Sequence, residues 1–238
     1  KPGASGNIGG QVVARARPDG HTLLLAYSGY QVGNPHLFKK AGWDPIKDFA
    51  PIAMLTRAPQ LLTARAQLPA NNLQELIAYA KAHPGKLNYA SSGNGSIQHI
   101  AGELFKQLTG TFITHIPYKG AGPAVQDLLG GQVDLFFTTP ASVVAQIKAD
   151  KLKGLAVTSQ GRLPSLPQVP TAVESGLKNF NLDSWFALYA PAGTPPEIIQ
   201  QLNTEIGKIL SMPDVRKRAE DAGTSVEQMT PSQLAAFT

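Results

Sequence analysis

Cysteine is absent from this chain of 238 residues, which excludes disulfide frameworks, thiolate zinc sites and cysteine nucleophiles together while leaving the compartment open. Long apolar runs are absent as well. No stretch of about 18 apolar residues occurs, so no segment reads as a membrane-spanning helix, and the opening Lys1-Pro2-Gly3 does not read as a signal peptide. Charged residues make up only 16% and aromatic residues 7%. The 21 Lys and Arg exceed the 16 Asp and Glu by five, a mild bias toward anionic solutes or nucleic acid. The one dense basic stretch, Arg216-Lys217-Arg218, is followed closely by Glu220 and Asp221 and holds no aromatic residue to stack a base. It reads as a solvated helix face, and no nucleic-acid partner is expected.

What is present suits a packed core. Hydrophobic residues reach 42%, and the 23 Gly and 19 Pro are turn-rich without a period, so neither a collagen-like nor a disordered chain fits. Leu73, Leu76, Ile77 and Ala80 recur at helical spacing after a capping box of Asn72 and Glu75, with Pro84-Gly85 as the stop. A strand follows at Leu87 to Ala90. A second apolar stripe, Ile97, Ile100, Ala101, Leu104, Phe105 and Leu108, ends at Gly110, and Phe112 to Ile116 is rich in strand formers. Pro123 opens a third helix that Gly130-Gly131 closes; Val133 to Phe137, the helix Ala141 to Ala149 and the strand Leu155 to Val157 continue the alternation. Residues 70 to 160 therefore predict an α/β lobe with a parallel sheet covered on both faces.

Phe49 to Leu55, Leu61 to Ala66 and Trp185 to Ala190 are strand-like without that rhythm, and are expected to cross between two lobes. Thr194 with Glu197 reads as another capping box, Pro195-Pro196 opens its helix, and Ile198, Ile199, Leu202, Ile206, Ile209 and Leu210 carry the apolar stripe. The expected division is 1–55 plus 191–238 for one lobe and 56–190 for the other. Both ends are expected to be cut: the chain opens just before a helix over Asn7 to Arg17 that leads into the strand Leu23 to Ala26, and closes shortly after Thr230-Pro231 announces a helix.

Catalytic patterns are missing. There is no G-x-x-x-x-G-K-[ST], H-E-x-x-H or G-x-S-x-G, and Gly93-Asn94-Gly95 lacks the third glycine of a dinucleotide loop because position 98 is Gln98. His21, His36, His83, His99 and His115 form no pair at helical spacing, so no metal or cofactor is expected. Three strand–loop–helix connections hold the interest. In Tyr89 to His99, Gly93 and Gly95 permit close backbone approach, while Ser91, Ser92 and Ser96 add hydroxyl donors beside helix amides that lack internal partners. This arrangement suits a carboxylate; Ser96 as a plain N-cap is the alternative. Ile116 to Pro123 repeats the design with Tyr118, Lys119, Gly120 and Gly122, and Phe137 to Ser142 offers Thr138 and Thr139, the latter equally readable as a cap. In an open parallel sheet such loops follow strand carboxyl ends, where ligand crevices form. Ser28, after the strand Leu23 to Leu25, places a further hydroxyl on the other lobe.

Eight segments in order carry a resemblance: Lys1 to Gly9, Arg17-Pro18-Asp19-Gly20-His21-Thr22-Leu23-Leu24, Ser91 to His99, Pro117-Tyr118-Lys119-Gly120, Gly131-Gln132-Val133-Asp134, Leu155-Ala156-Val157-Thr158-Ser159, Pro167-Gln168-Val169-Pro170-Thr171 and Ala190-Pro191-Ala192-Gly193-Thr194-Pro195. Together they resemble the Bug (TctC-type) extracytoplasmic solute receptors of tripartite tricarboxylate transport systems. The resemblance implies an α/β, two-lobed, flytrap-like periplasmic-binding-protein fold of type II, with parallel-rich sheets, that closes on a small carboxylate held by backbone N–H groups, hydroxyls and water. It implies ligand roles for Ser28, Ser91, Ser92, Gly95, Ser96, His99, Tyr118, Lys119, Gly120, Thr138 and Thr139. It also implies a periplasmic monomer that docks on a membrane transporter and catalyses nothing. Many members carry Phe-Asp-Asn where this chain has Phe137-Thr138-Thr139; the lost carboxylate disfavours an amino-acid ligand and leaves dicarboxylates, tricarboxylates and aromatic acids in that order. The family's first glycine-rich loop would lie upstream of Lys1. A sensor input domain and an α/β enzyme acting on carboxylates are the alternatives.

Overall fold

A computed structural model describes residues 6–34 and 42–238; Lys1 to Ser5 of the first resembling segment, and His36, lie outside them. The described chain forms two compact units, Lys1–Arg57 with Ser184–Ala219 and Ser225–Thr238, and Ala58–Asp183 with Glu220–Thr224.

The first unit contains α1 (Asn7–Ala14), β1 (Leu24–Tyr27), a π-helical turn (Gly29–Gly33) and β2 (Phe49–Pro59). The second opens with β3 (Leu61–Arg65), α2 (Leu73–Ala82), β4 (Asn88–Ser91), α3 (Ile97–Thr109), β5 (Thr114–Pro117), α4 (Ala121–Leu129) and β6 (Leu135–Thr138). A 3₁₀ turn (Pro140–Ser142), α5 (Val144–Lys148) and β7 (Leu152–Val157) complete it. The chain then returns through β8 (Asp183–Pro191), α6 (Pro196–Ser211), α7 (Pro213–Asp221), β9 (Ser225–Val226) and α8 (Pro231–Phe237).

In the second unit the strand order is β5-β4-β6-β3-β7. β4 pairs in parallel with β5 and β6, as the helix–strand rhythm predicts. β3 departs from it, lying antiparallel between β6 and β7, so the sheet is mixed. The reason is connectivity: β3 arrives directly from β2 with only Gln60 between them, not through a crossover helix, and so nothing obliges it to run with the others. Both faces are covered. Alternation along the strands sends Leu62, Tyr89, Leu135 and Phe137 to a core with α2 and α3, and Leu61, Ala90, Phe136 and Val157 to a core with α4 and α5.

The first unit's sheet runs β1-β8-β2-β9, with β1 antiparallel to β8 and β9 antiparallel to β2. Residues 184–190 thus belong to this sheet, and the units divide at 57/58 and 183/184, not at 55/56 and 190/191. Two local expectations change as well. Thr194 forms no capping box: its hydroxyl donates to Pro191 O at 2.8 Å and Pro195 is the N-cap of α6. The expected helix Ala141 to Ala149 is broken at Val143 into a 3₁₀ turn and α5. Asn72 does cap α2, accepting from Glu75 N–H at 2.9 Å, and Glu75 reaches back to Asn71 N–H at 2.7 Å. At the far end of the chain Thr230 and Gln233 form a full capping box.

Gly102, on α3, sits over Tyr89, where a Cβ would lie 2.2 Å from the ring. Gly102→Ala is therefore expected to lower stability by about 1–3 kcal/mol through overpacking, measured as a fall in urea midpoint with an unchanged slope.

Candidate functional site

The parallel pairing of β5, β4 and β6 brings their carboxyl ends, and the loops after them, to one edge of the second unit's sheet. β4 ends at Ser91, which is fully buried. Gly93 (φ 130°) and Gly95 (φ 79°) take left-handed backbone that returns the chain to start α3. Ser96 caps that helix, its hydroxyl accepting from His99 N–H at 3.3 Å. The Ser92 hydroxyl donates to Gln98 Oε1 at 2.9 Å. The Ser91 hydroxyl donates to Gly93 O and accepts from Gly93 N–H, both at 3.1 Å, and lies 2.6 Å from His115 Nε2. Ser91 and His115 are thus spaced as a nucleophile and base would be, but the serine is sealed from solvent and occupied by its own loop. By helix geometry the amides of Ile97 and Gln98 have no intrahelical acceptor, and the Ser96 hydroxyl retains a proton to donate. Aligned with the positive end of the 13-residue α3, these donors suit an anion.

Two histidines that stand 16 positions apart in the chain meet behind this loop. Their rings stack with centroids 4.1 Å apart, and Tyr89 stacks on the other face of His115 at 4.9 Å. Gly95 N–H donates to His99 Nδ1 at 3.1 Å, which fixes the His99 tautomer with its proton on Nε2, 3.9 Å from Glu103 Oε1. Glu103 also accepts from the Tyr89 hydroxyl at 2.7 Å and from Lys106 Nζ at 2.8 Å. Burial drives His115 down to about 4, with the neighbouring His99 adding to the effect. Burial likewise lowers His99, against the pull of Glu103. Burial alone would raise Glu103, but the bonds from Lys106 and Tyr89 outweigh it and hold the carboxyl below its ordinary range. Among the described residues no group of three His, Asp or Glu side chains is placed to hold a metal ion.

The other expected residues are less alike. Tyr118 N–H donates to Ser91 O at 3.0 Å and joins the first two loops. Its hydroxyl donates to Asp127 Oδ2 at 2.7 Å, and burial with that carboxylate pushes it up to about 12, so its proton is committed to α4. Lys119 is exposed, and Gly120 (φ 115°) is the N-cap of α4. Thr138 is fully buried with no partner for its hydroxyl oxygen, and Thr139 caps the 3₁₀ turn by backbone alone. Ser28 lies in the first unit, buried at the start of the π-helical turn, and its hydroxyl has no partner. Gln98, Glu103 and His115 were not singled out by sequence. Glu103 stands four residues from His99, a legible helical spacing, whereas His115 joins them only through the Tyr89–His115 register of a parallel pair.

The profile of the tripartite tricarboxylate transporter family receptor, TctC, matches residues 1–238. Among solved structures, the periplasmic binding protein BugD is 38% identical, with a TM-score of 0.93 covering 100% of this chain and 80% of its own. An R. palustris protein solved with adipate is 34% identical, TM-score 0.96, covering 99% and 79%. MatC from Rhodopseudomonas palustris, solved with bound malate, is 38% identical, TM-score 0.91, covering 99% and 81%. The two-lobed periplasmic-binding-protein fold is common to this chain and these proteins.

Because the folded state holds His115 below its ordinary 6.5, it binds fewer protons than the unfolded chain in the window from 6.5 down to about 4. Stability is therefore expected to fall as pH drops through that window. By differential scanning calorimetry, His115→Gln should lose less Tm across it than the parent protein.

Proposed function

The chain belongs to the tripartite tricarboxylate transporter receptor (TctC) family, and on that premise we propose that it captures a small organic carboxylate in the periplasm. A dicarboxylate is the first choice. As a monomer that catalyses nothing, it passes the acid to the membrane components of a tripartite tricarboxylate transporter. The observation that carries this reading is the Ser91–His99 loop, in which two left-handed glycines and the Ser96 cap leave first-turn amides and a hydroxyl at the head of α3. Such donors recognise a carboxylate by geometry and dipole, without a fixed cation.

Ser91, Ser92, Gly95, Ser96 and His99 build the first ligand loop in this reading, with Ser96 donating and the others shaping it. Tyr118, Lys119 and Gly120 form the second loop, where Lys119 adds positive potential and Tyr118 braces the turn. Thr138 and Thr139 supply the third, and Ser28 is proposed as a ligand residue on the first unit. Malate and adipate, named with two similar proteins, are both dicarboxylates and support that choice of class. Thr138, whose buried hydroxyl has no partner, stands where the resemblance implies an acidic residue in many members, which favours an acid without an amine.

A thermal-shift panel of dicarboxylates, tricarboxylates, aromatic acids and amino acids tests this. A cognate acid at a hundred times its Kd adds about 2.7 kcal/mol, roughly 5–10 °C at this size. Ser96→Ala is expected to weaken the cognate acid by about tenfold, as befits loss of one charge-assisted bond. A panel without shifts, or a Ser96→Ala protein that binds as well as its parent, would overturn the assignment.

A further inference from the structure

The stacked histidines do more than fill space behind the loop, because one of them holds a loop amide through a ring nitrogen that can be protonated. Gly95 N–H is a donor under all conditions, and it points at His99 Nδ1 from 3.1 Å. A proton added to His99 can go only to that nitrogen, since Nε2 already carries one. Donor would then face donor, and the bond must open. We propose that His99, backed by His115, is a positioning residue that latches the Ser91–His99 loop while neutral and releases it, with the bound acid, when the pair takes up a proton.

The groups around the pair fix how it responds. On α3 itself are Glu103, 3.9 Å from His99 Nε2, and Lys106, bonded to Glu103. From β4 come Tyr89, stacked on His115, and Ser91, bonded to it; β5 contributes His115. With centroids 4.1 Å apart the two rings cannot both be charged cheaply, so the pair accepts one proton where two separated histidines would accept two. His99 is the one that takes it: Glu103 stands beside its Nε2, and His115 stays neutral down to about 4. The new charge does little to attract a carboxylate in front of the loop, because Glu103 answers it from behind. The loss of Gly95's anchor therefore dominates, and affinity falls in acid. The Ser96 cap, which also involves His99 through its amide, survives because that amide does not titrate.

This inference rests on the ligand-loop reading above, and its test separates the two. In ligand-free protein, imidazole and amide NMR spectra followed from about pH 8 to about pH 4.5 should show neutral His99 with its proton on Nε2. The Gly95 amide should lose protection from hydrogen exchange by about tenfold or more as His99 titrates. His99→Asn places an oxygen near the Nδ1 position and cannot titrate, so Gly95 protection should become independent of pH; His99→Phe keeps the ring stack but removes the acceptor, so Gly95 should be unprotected throughout. With malate and adipate as probes, the affinity of the parent protein should fall several-fold more than that of His99→Asn between about pH 7.5 and about pH 4.5, since titration of the acid itself affects both proteins alike. A His99 neutral through Nδ1–H, a His99 still neutral at the acid limit, or Gly95 protection indifferent to its titration would overturn the latch. If neither acid binds while the NMR behaviour is as stated, the latch stands and the ligand reading fails.

Discussion

Parallel pairing is the constraint on which the second unit depends. A parallel strand can be followed by its neighbour only after the chain has travelled back along the sheet, so every strand of the β5-β4-β6 set ends at the same edge and hands over to a loop there. Three such loops, after Ser91, Pro117 and Thr138, then lie side by side whatever their sequences. The sequence of each decides only what it carries to that edge: serines and glycines in the first, a tyrosine, lysine and glycine in the second, two threonines in the third. β3, entering directly from the other unit's sheet, escapes this rule and runs the opposite way without disturbing the edge.

Helices and loops were legible because their signals are local. The cap at Asn72, the stripe of α3 and the glycine stop at Gly110 (φ 64°) all follow from residues within a few positions of one another. What escaped sequence reading depends on register. That His115 lies against Tyr89 and His99 requires knowing that β5 pairs beside β4 and in which alignment. The same holds for the antiparallel β3, whose alternative neighbours are equally apolar in sequence. Thr194 shows the opposite failure: a sound local pattern for a capping box was overridden when its hydroxyl turned to Pro191 O.

Within the candidate site most polar atoms are already spoken for. Ser91, Ser92, His99 and the Tyr118 hydroxyl bond to other protein groups, and this is what gives a loop with two left-handed glycines a single shape. A receptor gains from that arrangement, since ordering a loose loop at the moment of binding would subtract from affinity. The few donors without intrahelical acceptors at the head of α3 are aimed by a framework that does not need the ligand to exist.

The second unit is not a single stretch of chain, since Glu220–Thr224 belongs to it while the residues on either side belong to the first. Gly223, in left-handed backbone at φ 72°, lies so close to Pro140 that a Cβ would come within 2.5 Å of it. Pro140 opens the turn that follows Thr138 and Thr139. The third loop is thus walled by a segment encoded more than 80 positions downstream, and gene fragments that stop after β8 would carry the loop's own sequence yet leave one side of it bare.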